Sequence, residues 1–170
     1  MAGPRELCGD LAVLVDELAA RWLPPPAVGE YGLFARYFAQ GERLFHLAIE
    51  VGIACEGVTV SEADLAPLVT AIGTDRLFAD LCAGITGVFM HIGFEYGQYY
   101  GVQDWGELAI CMSGLRFLRD LLHAHPEIPL DPAPLEQELV HWGHELYRPL
   151  DAPSRMPLRH WWWFAAAPPL

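Results

Sequence analysis

Apolar residues return every three or four positions along almost the whole chain, and no stretch alternates apolar with polar residues between hairpin turns. That rhythm predicts helices and no sheet. A first helix over about 5–23 must stop at the three prolines 24–26, which cannot continue it. A second covers about 31–56. A short third, Leu65 to Ile72, takes Asp64 as its cap and tolerates Pro67 in its first turn. Thr74 opens a long helix over 75–100, and Asp104 with Glu107, a variant of the capping box, opens another that ends before Pro126. Asp131 as cap and Pro132 at the first helical position start the last, which reaches about Tyr147. Neither repeat nor linker divides the chain. The expectation is an all-α single domain over 1–170: one compact helical bundle of about five helices.

The 75–100 segment differs from its neighbours. Leu77, Phe78, Leu81, Ile85, Val88, Phe89, Ile92, Tyr96 and Tyr99 fill one side, while Ala79, Ala83, Thr86, Met90, Phe94 and Gly97 fill another. A helix apolar nearly all round is a central one. Between its two apolar sides runs a narrow polar seam of Asp80, Gly84, Gly87, His91, Glu95 and Gln98. An unpaired buried carboxylate costs several kcal/mol, so Glu95 must be paired, protonated, or turned toward water or a ligand. Glycine at 84 and 87 removes side chains beside the seam, which suits the close approach of another helix or of a bound molecule.

The chain carries "RHWWWF" at 159–164, where Trp161, Trp162 and Trp163 together would form an apolar patch if left in water. The tail over 157–170 is therefore expected to fold back on the bundle, against the central helix. There it closes the core, walls a pocket with indole N–H donors, or meets a partner.

Composition narrows the field. The 170 residues suffice for one domain that needs neither disulfide nor metal, and 53% of them are apolar. The net charge of −12 argues against nucleic acid or an anionic membrane as partner. Lysine and asparagine, whose codons are AT-rich, are both absent, the mark of a GC-rich genome and an expected bacterial setting. The first ten residues hold no apolar signal core, and Cys8, Cys55, Cys82 and Cys111 are widely spaced, so a cytoplasmic protein with packed, reduced thiols is expected. The longest apolar run, 81–94, is too short to span a membrane.

Phosphate-binding glycine loops, the GxSxG elbow and the HExxH zinc motif are all missing. Three helices do carry His and Glu four residues apart: Glu42/His46 with Glu50, His91/Glu95, and His141/Glu145. Four residues advance only about 40° around a helix, so each pair shares a face. In the second helix Leu44, Phe45, Ala48 and Val51 lie opposite Glu42, His46 and Glu50. In the last, Leu135, Leu139, Trp142 and Leu146 lie opposite His141 and Glu145. These pairs therefore face solvent, and no metal shared by the three helices is expected.

Two functional readings follow. In the first, a small, largely apolar or aromatic molecule binds in an aromatic pocket on the seam. His91 would shuttle a proton, Glu95 would orient it, and Tyr96 or Tyr99 would donate at the edge. That is cofactor-independent acid and base chemistry of the cyclase or isomerase type. Asp80, Gly84, Gly87, Gln98 and the three tail tryptophans would line the site. The second reading has no catalysis: an acidic inhibitor or immunity factor that binds a basic protein partner.

Overall fold

The computed structural model describes residues 3–21, 33–73, 102–128, 130–133, 136–137, 140 and 150–164. Among them are four α-helices and one turn of 3-10 helix, with no strand: α1 (Pro4–Arg21), α2 (Leu33–Cys55), α3 (Glu62–Gly73), α4 (Val102–Leu121) and the 3-10 turn Trp161–Trp163. The fold is all-α, as the apolar rhythm predicts. None of the described helices is long and apolar enough to cross a membrane. The predicted 75–100 helix, with Asp80, Cys82, Gly84, Gly87, His91, Glu95, Tyr96, Gln98 and Tyr99, lies outside the described residues, as do His141 and Glu145.

Each described helix buries the stripe its spacing dictates. Cys8, Leu11, Ala12 and Val15 of α1 face inward, and Leu65, Leu68 and Ile72 of α3 meet them, so α3 packs chiefly on α1. Leu44, Phe45, Ala48 and Val51 of α2 are wholly buried, while Glu42, His46 and Glu50 are exposed. The face assignment made for α2 from sequence therefore holds. Its chief packing partner is α4, which is buried on nearly every side from Trp105 to Leu118.

Glycines set the closeness of the α2–α4 crossing. A Cβ on Gly114 of α4 would lie 2.8 Å from the Cα of Phe45, and one on Gly52 of α2 would overlap the Phe117 ring. Each helix offers a glycine where the other offers a phenylalanine. The result is a tight reciprocal contact that also fixes where Phe117 stands.

Two helix starts differ from expectation. α3 begins at Glu62 rather than Leu65, because Ser61 rather than Asp64 supplies the cap. The Ser61 hydroxyl accepts from the Asp64 N–H at 3.3 Å and donates to the Asp64 carboxylate at 2.7 Å. Pro67 then stands inside the helix, and the bond it cannot donate leaves the carbonyl of exposed Ala63 to water. α4 begins at Val102, two residues before the expected Asp104. The start at Asp131 is as predicted: its carboxylate accepts from Ala133 N–H at 3.0 Å, Glu136 N–H reaches Pro132 at 3.0 Å, and residues 133, 136, 137 and 140 are helical. Arg116 of α4 holds this segment through Glu136 at 2.6 Å.

Candidate functional site

A serine in the middle of a buried helix needs a partner for its hydroxyl. Ser113 of α4 is fully buried, and the tail supplies three. The indole N–H groups of Trp162 and Trp163 donate to its Oγ at 2.9 and 2.7 Å, and Nδ1 of His160 lies 3.0 Å away. A hydroxyl has two lone pairs and one proton. With both lone pairs engaged by indoles, the proton goes to His160 Nδ1, which must be unprotonated to accept it. His160 is thereby fixed as the tautomer with its hydrogen on Nε2.

The rest of the junction positions that imidazole. Phe117, one turn beyond Ser113 on the same face of α4, stacks on it at 4.2 Å between centroids, and the Trp162 ring meets it edge-on at 5.2 Å. Trp105 donates its indole N–H to the Trp162 carbonyl at 3.1 Å. Arg159 lies over Phe117 and grips the ends of both crossing helices, with two bonds to Glu56 at 2.6 and 2.8 Å and one to Asp120 at 3.2 Å. Its bond to Glu56 holds that carboxyl below its ordinary range.

His160 is fully buried. Desolvation first, and then the positive charges of Arg159 and Arg116, push its pKa down to about 3. It is therefore neutral at any ordinary pH. Its buried Nε2 has no hydrogen-bond partner among the described residues. Among the described residues this N–H donor sits in an aromatic enclosure without an acceptor, and a buried donor left so costs about 1–3 kcal/mol.

The nearness of Ser113 to His160 does not make a nucleophile. The oxygen is buried, both its lone pairs are engaged, and the imidazole at about 3 is a poor base. What the junction offers is a fixed, neutral donor.

Of the residues predicted for the site, Trp161, Trp162 and Trp163 lie at this junction. Trp162 and Trp163 are buried, and their N–H groups serve Ser113 rather than standing open as donors; Trp161 is half-buried, edge-on to Trp162 at 5.8 Å. The tail's side-chain hydrogen bonds run to α4 and to Glu56 just past α2, and any contact with the 75–100 segment lies outside the described residues. His46 and Glu42 stand 3.9 Å apart in solvent. No group of three His, Cys, Asp or Glu side chains among the described residues is arranged to hold a metal. Cys8, Cys55 and Cys111 are buried, and burial above all raises the Cys8 thiol to about 11, which leaves it inert.

Ser113, His160, Phe117 and Arg159 were not singled out from the sequence. The signal for the first was the pair Ser113-Gly114, small and polar within the apolar run "AICMSGLRFL". Comparison with known families, with curated proteins and with solved structures finds no match to this chain.

Proposed function

We propose that this protein binds a small, largely apolar or aromatic molecule next to its tryptophan tail, and that the molecule presents a hydrogen-bond acceptor to His160. The Nε2–H, which meets no acceptor among the described residues, carries this reading. Small-molecule sites combine apolar walls with a few fixed polar groups, and a neutral donor between Phe117 and Trp162 is such a group. The polar seam would face the same space from the central 75–100 helix of a five-helix bundle, with the tail folded against it. Asp80, Gly84, Gly87, Gln98, Tyr96 and Tyr99 would line it. His91 and Glu95 would carry any acid and base step, in the manner of a cofactor-independent cyclase or isomerase. The free, buried thiols of Cys8 and Cys55 support a reducing, cytoplasmic setting, in keeping with a bacterial metabolic role.

A matched pair of probes tests the site. Acetophenone and α-methylstyrene have nearly the same shape, but only the ketone has an acceptor. Acetophenone is expected to bind about 5–100-fold more tightly and to shift the His160 Nε2–H resonance, since the acceptor satisfies a buried donor. Glu95→Gln and His91→Ala should weaken that binding at near-constant melting temperature. Equal binding of the two probes, or no movement of the His160 signal at saturation, would overturn the reading.

The acidic interaction protein keeps one observation in its favour. Glu6, Asp10, Val13 and Glu17 form one exposed face of α1, three carboxylates around an uncovered valine. Salt-sensitive binding of an arginine-rich amphipathic peptide, lost when the three carboxylates become amides, would favour that alternative.

A further inference from the structure

His125 lies in the turn after α4, and its backbone is held at both ends: its N–H reaches the Leu122 carbonyl at 2.9 Å, and its carbonyl accepts from Ile128 N–H at 3.2 Å. Ile128 and Leu130 beyond it are buried and anchor the turn. The imidazole is thus presented in a fixed place. Its Nδ1 meets Glu127 at 3.0 Å and its Nε2 meets Glu62, the first residue of α3, at 3.2 Å.

A carboxylate can only accept, and a neutral imidazole has one N–H and one bare lone pair. Both contacts are hydrogen bonds only when both ring nitrogens carry protons. The observed geometry is therefore that of the imidazolium. Removing one proton, from either nitrogen, turns a lone pair on a carboxylate oxygen and converts one of the two attractions into repulsion. A metal does not explain the arrangement, because the two carboxylates bind opposite sides of the ring and do not converge on one point.

We propose that His125 is a proton-operated clasp: charged, it ties the first turn of α3 to the turn after α4, and neutral, with its remaining proton kept on Nδ1 for the closer Glu127, it releases Glu62. The other contacts of α3 make this tie matter. α3 packs chiefly on α1 and α4 chiefly on α2, so the clasp joins the two pairs at their edge.

The neighbouring charges are otherwise engaged. On the α3 side Asp64 serves Ser61 and lies 3.8 Å from Arg5 of α1. On the α4 side the Asp120 carboxylate reaches Arg159, and His123 Nδ1–H donates to the Asp120 carbonyl at 3.0 Å. Glu127 and Glu62 are left as the groups that answer His125. Their hydrogen bonds, that of Glu127 first, raise the imidazole above its ordinary 6.5.

The test is an NMR titration of His125 in the full chain together with amide exchange of Asp64 and Leu65, whose N–H groups reach the Ser61 carbonyl, corrected for the intrinsic pH dependence. The expected result is a midpoint above 6.5 that falls in both Glu62→Gln and Glu127→Gln, and a several-fold loss of protection in the first turn of α3 at that same midpoint. Glu62→Gln should abolish the step in protection. Both substituted side chains are largely exposed, at 71% and 66%, so folding is not in question. A midpoint unchanged in either variant, or protection that ignores the titration, would overturn the clasp.

Discussion

Ser113 carries more of the structure than its size suggests. Replacing it by alanine leaves two buried indole N–H groups and one imidazole nitrogen without their common partner. With each such group costing about 1–3 kcal/mol, the expected loss is about 3–5 kcal/mol after relaxation, or about 10 °C of melting temperature for a chain of this size. A thermal melt measures it. The same hydroxyl sets the chemistry of His160, so nitrogen-15 spectra of the histidines should show His160 as the Nε2–H tautomer, and Ser113→Ala should free it to exchange. The pH dependence has a definite sign. With about 3 in the folded chain against an ordinary 6.5, the unfolded chain takes up a proton that the folded one refuses. The contribution of His160 is full above 6.5 and is lost as pH falls toward 3, about 3 kcal/mol of it between pH 6.5 and 4. Denaturant titrations at several pH values should show a shallower acid limb in His160→Gln.

At the scale of elements, the α2–α4 crossing separates two kinds of glycine. Gly114→Ala gains about 1 kcal/mol in helix propensity but drives a methyl to 2.8 Å from a backbone carbon of α2, which cannot yield without moving the helix. A net loss of about 1–3 kcal/mol is expected. Gly9→Ala in α1 meets nothing within 4 Å and should stabilise the protein by about 0.5–1 kcal/mol. Paired melts of the two variants decide whether the crossing is as close as described. The principle was legible and its sites were not: glycine beside a close contact was read at 84 and 87, and the same reasoning applies at 52 and 114. A glycine in an apolar helix does not announce which face its neighbour will approach. Helix starts show the same limit. Ser61 and Asp64 are both good caps three residues apart, and the choice between them rests on which hydroxyl or carboxylate reaches the free N–H groups. Where one candidate stood alone, as at Asp131 followed by Pro132, the start was legible.

For the whole molecule, the all-helical class followed from a periodicity that local sequence carries by itself, as did the solvent face of α2. The Ser113 junction did not follow. It joins residues 47 to 50 positions apart, and the chain between them holds no pattern that says which helix the tail will meet. Truncation before Pro157 tests how far the tail belongs to the core. It would uncover Phe117, strand Ser113 and take Arg159 away from Glu56 and Asp120. Loss of cooperative melting, rather than a modest shift, is the expected outcome, since each large buried aromatic removed costs about 3–5 kcal/mol. Two histidines then tilt the stability profile in opposite directions. His160 penalises acid, as above. His125, whose folded value is raised, contributes in full below 6.5 and loses its contribution as pH rises through that raised value. Scanning calorimetry across pH should therefore find a maximum near neutrality that flattens on its alkaline side in Glu62→Gln.

The separation of Ser113 from Trp163 also sets a timetable for the chain as it is made. At about 5–20 residues per second, ribosomal synthesis needs about 3–10 s to travel the 50 residues between them. For that interval α4 has emerged with its hydroxyl unanswered and Phe117 without the imidazole that stacks on it. Helix formation takes about a microsecond, so the helices wait on the tail and not the reverse. The nascent chain is then a helical intermediate with one apolar flank open. Its vulnerability to aggregation and its demand for a chaperone should both end when the tryptophans arrive.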